Sequence, residues 1–176
     1  MKEMCPVSRG CIFGGITKID SPMKGCFTLF ALLFCFTLQA QTDNSAKRIR
    51  NFNLTDNGVA LRDFDPVSYF KGHPAKGNDS FKYSYKGITY YFANTENQEE
   101  FKKTPEKYEP ACGGWDAYSM AIDGQRVKID PSTYKIVDGK LFLFYNFNGG
   151  NNRLKWEKDE KKYARAAHDN WLSKQR

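Results

Sequence analysis

The residues of this chain best suited to chemistry lie in one short stretch, Cys112–Asp116. A thiolate can attack an electrophile or bind a soft metal ion, and a carboxylate can complete a metal site. Gly113 and Gly114 can bend the backbone so that Cys112 and Asp116 share one rim. Four interpretations of Cys112 stay open: a buried packing residue, a copper or zinc ligand, the reactive thiol of an enzyme, or half of an intermolecular disulfide.

A third metal ligand would have to come from one of two histidines. His73 lies in a Lys-Gly-His-Pro turn and could meet Cys112 if its loop folds back; otherwise it is a solvated turn residue. His168 lies beside Asp169 on a predicted helix, so we expect it at the surface. The metal hypothesis therefore uses Cys112, Asp116 and His73. The sequence has no His-x-x-His, Cys-x-x-Cys or nucleophile-elbow spacing, which excludes the strongest motif classes.

Aromatic residues are dense around this stretch, and some of them could line a cleft rather than fill the core. An apolar pocket with phenol groups at its edge would suit a small ligand. The predicted ligand-binding residues are Tyr69, Cys112, Gly113, Gly114, Trp115 and Asp116. The ligand would be a small molecule or a metal ion.

The N-terminal residues indicate export. Met23-Lys-Gly precedes the apolar run Cys26–Leu38 and then Gln39-Ala40, the pattern of a secretory signal cleaved after Ala40. This run is shorter than the ~20 apolar residues of a membrane-spanning helix, so no transmembrane anchor is expected after cleavage. Residues 1–22 are interpreted as an extension upstream of the true start, residues 23–40 as the signal peptide, and residues 41–53 as a polar tether.

Cysteine content and charge agree with an exported single domain. Four of the five cysteines (Cys5, Cys11, Cys26 and Cys35) precede the expected cleavage site, so the mature chain keeps only Cys112 and forms no internal disulfide. Residues 1–40 carry four basic and two acidic residues, and their removal lowers the formal charge from +7 to +5. The remaining excess is scattered, and with export it predicts no nucleic-acid partner.

The elements that position these residues are small hairpins and helices. Period-two alternation and turn residues predict one hairpin over Phe81–Phe92 and another over Tyr134–Tyr145. Short strands are expected at Trp115–Ala121 and Arg126–Ile129. A capping-box pattern at Thr95–Gln98 predicts a helix to Lys103 that Pro105 ends, with Phe101 packed against the first hairpin. A short turn is expected at Lys107-Tyr108. A C-terminal helix is expected over Glu157–Ser173. These elements predict an α+β fold with small antiparallel sheets.

A set of motifs runs from about Gly58 to Trp171: Asp65-Pro66-Val67, Tyr69-Phe70, Tyr90-Tyr91-Phe92, Glu96-Asn97, Phe101, Pro105–Tyr108 and Gly113-Gly114. In these residues the chain resembles the YHS domain family. Ile136–Leu141, Tyr145 and Asn170-Trp171 are similar to its exported stand-alone members. This resemblance implies a YHS-like domain over residues 54–176.

The metal-associated members of that family carry thiols at three positions, which are Ser68, Ala93 and Asn97 in this chain. Hydroxyl, methyl and amide groups cannot form a thiolate cage, so the family's metal role does not transfer. The exported relatives also commonly place a cysteine where this chain has Asp116. The sequence therefore predicts a secreted or periplasmic binding module of unknown ligand. A rearranged metal site and a thiol-dependent enzyme are the alternatives, and a purely structural or interaction role also stays open.

Overall fold

The computed structural model of the chain describes residues 44–175. The predicted N-terminal extension and signal peptide lie outside the described residues. The helices and strands, in chain order, are α1 (44–51), α2 (Pro66–Phe70), β1 (Asn78–Tyr85), β2 (Ile88–Phe92), α3 (Thr95–Lys103), α4 (Pro105–Tyr108), α5 (Ala117–Asp123), β3 (Asp130–Val137), β4 (Lys140–Phe144), β5 (Asn146–Phe147), β6 (Gly150–Asn151), α6 (Asn152–Trp156) and α7 (Glu160–Lys174).

The described residues form three two-stranded antiparallel sheets and several helices, of which α7 is the last in the chain. The predicted α+β class is confirmed. No helix in this part of the chain is long and apolar enough to cross a bilayer.

The first predicted hairpin is present as β1 and β2. Its turn residues Lys86 and Gly87 both have positive φ (46° and 84°), which matches the twist of a tight hairpin. Phe101 of α3 is fully buried, with its ring centroid 4.9 Å from that of Tyr90 and 5.2 Å from that of Phe92. The expected packing of α3 against this hairpin is confirmed.

The N-cap of α3 lies one residue earlier than predicted. The Asn94 side chain accepts a hydrogen bond from the backbone N–H of Asn97 at 2.9 Å, and Thr95 is the first helical residue. Asparagine is at least as good an N-cap as threonine, so the backbone selects the earlier position. The short turn expected at Lys107-Tyr108 is instead part of the four-residue helix α4, which begins at Pro105.

The second predicted hairpin is confirmed, but the strands expected before it are not. β3 and β4 pair around Asp138 and Gly139, which both have positive φ (48° and 71°). The segment predicted as a strand from Trp115 is instead the helix α5, capped by the Asp116 side chain and ended by Gly124 in the left-handed conformation. The predicted second strand, Arg126–Ile129, precedes β3 as irregular backbone. An N-cap and a C-terminal glycine outweighed the β propensity of the aromatic residues.

Residues 41–53, expected as a tether, include the helix α1, which packs against the domain. Asn51 and Phe52 at its end are almost fully buried, and the Phe52 ring lies edge-on to Trp171 at 5.8 Å. The Arg48 guanidinium pairs with the Glu109 carboxylate, and both side chains are only 14% exposed. Tertiary contacts that the polar composition did not reveal therefore order residues 44–53.

The C-terminal helix begins later than predicted and follows a second short helix. Asp159 caps α7 by accepting a hydrogen bond from the backbone N–H of Lys162, and α6 precedes it. The face predicted from Tyr163, Ala167 and Trp171 does point inward, since Ala167 is fully buried and the other two pack on core residues.

The interior contains two clusters of apolar side chains, and Trp171 packs against both. The first cluster joins the β1–β2 hairpin to α2, α3 and α4, and its buried members include Val67, Tyr69, Ile88, Tyr90, Phe92, Phe101 and Tyr108. The second joins β4 to α5, α6 and α7, and its buried members include Cys112, Met120, Phe142, Phe144, Trp156 and Ala167.

Candidate functional site

The glycine loop that the sequence singled out is a structural junction. Gly113 and Gly114 have φ of 61° and 80°, and Cys112 shares the left-handed conformation at 54°. The backbone N–H of Asn53 donates to the Gly113 carbonyl, and the Asn53 side-chain amide donates to the Gly114 carbonyl, both at 2.9 Å. On the other side, a Cβ added at Gly113 would lie 2.4 Å from the Trp171 ring. The loop is held between the N-terminal segment and α7, which leaves no open rim at Gly113.

Asp116 is committed to holding elements together. Its carboxylate is fully buried and accepts hydrogen bonds from the backbone N–H groups of Ser119 and Tyr145, both at 2.8 Å, and from the Asn152 side-chain amide at 2.9 Å. These contacts tie the start of α5 to the end of β4 and the start of α6. A buried carboxylate with three donors stabilises the fold and is not free to bind a ligand.

Cys112 is a packing residue. It is 3% exposed, and its sulfur lies 3.8 Å from the Ala167 carbonyl oxygen. Burial, and secondarily the nearby Asp116 carboxylate, raise the pKa of the Cys112 thiol to about 12. The thiol therefore stays protonated at neutral pH, which disfavours the nucleophile and metal-ligand interpretations.

Tyr69 and Trp115 also direct their polar atoms into the fold. The Tyr69 hydroxyl donates to the Pro131 carbonyl at 2.9 Å, and the residue is 1% exposed. The Trp115 indole N–H donates to the Asn51 carbonyl at 2.7 Å. Neither residue presents the phenol or indole edge to a cleft that the sequence suggested.

The structure does not bring the predicted metal ligands together. His73 is exposed in the turn after α2, where its backbone N–H donates to the Ser68 carbonyl at 3.2 Å. Across residues 44–175, no group of three or more His, Cys, Asp or Glu side chains is arranged to hold a metal ion. Cys112, Asp116 and His73 therefore do not form a three-ligand group in the described structure.

Ser68, Ala93 and Asn97, the positions for which the YHS resemblance implies thiols in metal-associated relatives, surround one buried carboxylate, that of Asp65. Asp65 Oδ2 accepts hydrogen bonds from the Ala93 backbone N–H at 3.0 Å and from the Asn97 side-chain amide at 2.5 Å. Asp65 Oδ1 accepts from the backbone N–H groups of Val67 at 2.8 Å and Ser68 at 3.3 Å. The Ser68 hydroxyl donates to the Asp65 carbonyl at 2.6 Å. A satisfied polar network therefore occupies this corner, where it joins α2, β2 and α3.

A concave surface lies elsewhere, between the β3–β4 hairpin and α7. We call it the α7 groove. It has two adjoining parts of about 460 Å³ and about 320 Å³ that share Lys140, Phe142 and His168. The larger part is also lined by Val137, Asp138, Lys161, Ala164, Arg165 and Asp169. The smaller part is also lined by Glu106, Glu109, Pro110, Ala111, Cys112, Trp171 and Leu172.

The α7 groove has an apolar floor and charged edges. Val137, Phe142 and Ala164 form the floor of the larger part, and basic side chains project from the hairpin and from α7. Volumes of this order, with apolar walls and a few polar groups, are typical of small-molecule sites. Of the predicted ligand-binding residues, only Cys112 borders the groove, and it does so as a nearly buried wall residue.

Sequence reasoning missed the α7 groove because its walls are distant in the chain. Helical spacing on α7 could have revealed one wall, since Lys161, Ala164, Arg165 and His168 recur on one face. Comparisons with family models, with curated proteins and with solved structures gave no match. The resemblance to YHS proteins thus continues to depend on the residues quoted above.

Proposed function

We propose that this protein is an exported YHS-like binding module that holds a small ligand in the α7 groove. The observation that carries the proposal is a concave surface with an apolar floor whose charged side chains come from two separate walls, the hairpin and α7. Export and YHS membership enter the proposal from the sequence: the signal pattern before Ala40 and the matching residues from Asp65 to Trp171.

Binding without catalysis is the activity that this surface supports. The one mature thiol is buried and keeps its proton, since its pKa is raised to about 12. The buried carboxylates of Asp65 and Asp116 already accept several hydrogen bonds each. The groove itself offers lysine, arginine and histidine side chains that are suited to recognition.

The rigid surroundings of the groove suit a preformed site. One wall is the β3–β4 hairpin, whose residues Leu141–Phe144 are buried, and the other wall is α7, which is anchored by Ala167 and Trp171. Asp116 holds the end of β4 through the Tyr145 N–H, and Gly113 lies directly against Trp171 of α7. In this interpretation, the residues predicted from the sequence to bind the ligand, around Cys112–Asp116, instead hold the walls of the α7 groove in place.

A fragment screen monitored by ¹⁵N–¹H NMR tests the proposal. We expect hits to shift the amide signals of Phe142, Ala164 and His168. Ala164→Trp should fill the groove and abolish this binding. Lys162→Trp, on the same helix but outside the groove, should leave binding unchanged. Circular dichroism confirms that both variants are folded.

Two results would refute the proposal. One is a set of hits whose shifts map to Tyr69 and Trp115 or to another surface. The other is a folded Ala164→Trp variant that binds the hits as tightly as the wild-type protein.

A further inference from the structure

We infer that the α7 groove selects a small amphipathic monocarboxylate, an apolar chain or ring that carries a single carboxylate group. This inference rests on the proposed function, because it names the class of ligand for the same groove. It follows from how apolar and charged side chains are distributed along the groove.

The smaller part of the groove would take the apolar body of the ligand. Pro110, Ala111, Trp171 and Leu172 line it, and Leu172 is 45% exposed although it is a large hydrophobic residue. Phe142 continues this apolar surface into the larger part. Covering such a surface with hydrocarbon removes apolar area from water, at roughly 25 cal/mol per Å².

The larger part would take the carboxylate. Lys140 extends from β4, whereas Lys161 and Arg165 extend from α7, four residues apart on one helical face. Within residues 44–175, none of these three side chains has an ion-pair partner. Lys135 on the same hairpin provides a contrast, because Glu157 and Glu160 both pair with it. Among the described residues, Lys140 Nζ and Arg165 Nε donate only to backbone carbonyls, those of Glu106 and Lys161, both at 3.4 Å. The cations of the groove therefore lack a carboxylate partner in the described part of the chain and can pair with an anion.

The charge balance of the larger part favours one negative charge over two. Asp138 and Asp169 also border it, so three basic against two acidic side chains leave a formal charge of +1 with His168 neutral. A monocarboxylate matches that surplus, whereas a phosphate dianion would exceed it. The two acidic residues of the smaller part are already paired, Glu106 with Lys86 and Glu109 with Arg48. Because these two pairs carry no net charge, the anionic group is expected at the unpaired cations of the larger part.

The test compares three probes that share one chain: octanoate, octyl phosphate and octylamine. Titration calorimetry and amide shifts of the purified protein should show octanoate in the groove. Octyl phosphate is expected to bind more weakly, and octylamine at least tenfold more weakly. Replacing exposed Lys161 and Arg165 together, K161Q/R165Q, should weaken octanoate binding by about tenfold, since each exposed ion pair contributes only a few-fold. The matched control K162Q should leave it unchanged.

Each outcome decides the inference. Octanoate preference that is lost in K161Q/R165Q and weakened by added salt supports it. Equal binding of octylamine, tighter binding of octyl phosphate, or an unchanged K161Q/R165Q variant overturns it. If neutral fragments occupy the groove but octanoate does not, the ligand class is wrong while the proposed function stands. If nothing shifts the groove signals, both fail.

Discussion

Gly113→Ala should destabilise the protein much more than the same change at the next residue. The added Cβ would lie 2.4 Å from Trp171 Cη2 and 2.7 Å from Cζ2, and the residue would have to keep φ at 61°. A left-handed L-residue costs about 1–2 kcal/mol, and overpacking a closed interior adds about 1–3 kcal/mol. The loss of unfolding free energy should therefore be about 2–5 kcal/mol.

Gly114→Ala is the matched control. Its φ of 80° is equally unfavourable, but the added Cβ would meet only Pro110 Cγ at 3.6 Å and Asn53 Cβ at 3.8 Å, which are ordinary contacts. We expect only the conformational cost of about 1–2 kcal/mol. The difference between the two variants isolates the collision with Trp171.

Urea denaturation measures both variants, and a third background tests the cause. Trp171→Leu removes the ring that the new methyl group would strike, so in that background Gly113→Ala should cost only about 1–2 kcal/mol. The structural role of the loop would be refuted if Gly113→Ala were no more destabilising than Gly114→Ala. It would equally be refuted if the cost at Gly113 did not change when Trp171 is absent.

The remaining predictions concern the buried polar groups and the N-terminal helix. Asp116→Ala leaves three donors without their acceptor and should lower the urea unfolding free energy by about 3–5 kcal/mol; a loss under 1 kcal/mol would contradict the network. In the folded protein the pKa of the Cys112 thiol is raised to about 12, whereas the ordinary pKa of a cysteine thiol is 9.0. The unfolded chain therefore loses this proton first, and stability should fall as pH rises from 9 toward 12. Cys112→Ala should flatten that part of the decline, and an identical pH profile would contradict the burial. Arg48→Ala leaves Glu109 unpaired and should cost about 1–3 kcal/mol, with earlier proteolysis within residues 44–51; unchanged proteolysis would mean that α1 is not docked.

The sequence predicted the hairpins because their determinants are local. In β3–β4, alternation and the Asp138-Gly139 turn specify the pairing within a dozen residues. The same local signals failed at Trp115–Ala121, where aromatic residues suggested a strand. The helix there depends on Asp116 as a cap, and Asp116 is fixed by partners in β4 and α6 that are far away in sequence.

The candidate site was less predictable than the fold. The sequence places glycines, a thiol and a carboxylate close together, as in a binding or catalytic site. In the structure, however, Cys112 and Asp116 are buried, and Asp116 is hydrogen-bonded within the fold. Distance along the chain hid the α7 groove, because Phe142 and Ala164 become neighbours only when α7 packs on β4. Residue types alone do not reveal which polar groups remain unpaired after folding.

Intermolecular NOEs to the tightest hit of the fragment screen would locate the bound ligand. Binding in the α7 groove predicts NOEs from the ligand to the Ala164 methyl group and to the Phe142 ring protons, with none to Tyr69. Contacts to the Tyr69 or Trp115 rings in place of Ala164 and Phe142 would contradict it and return the site to the glycine loop.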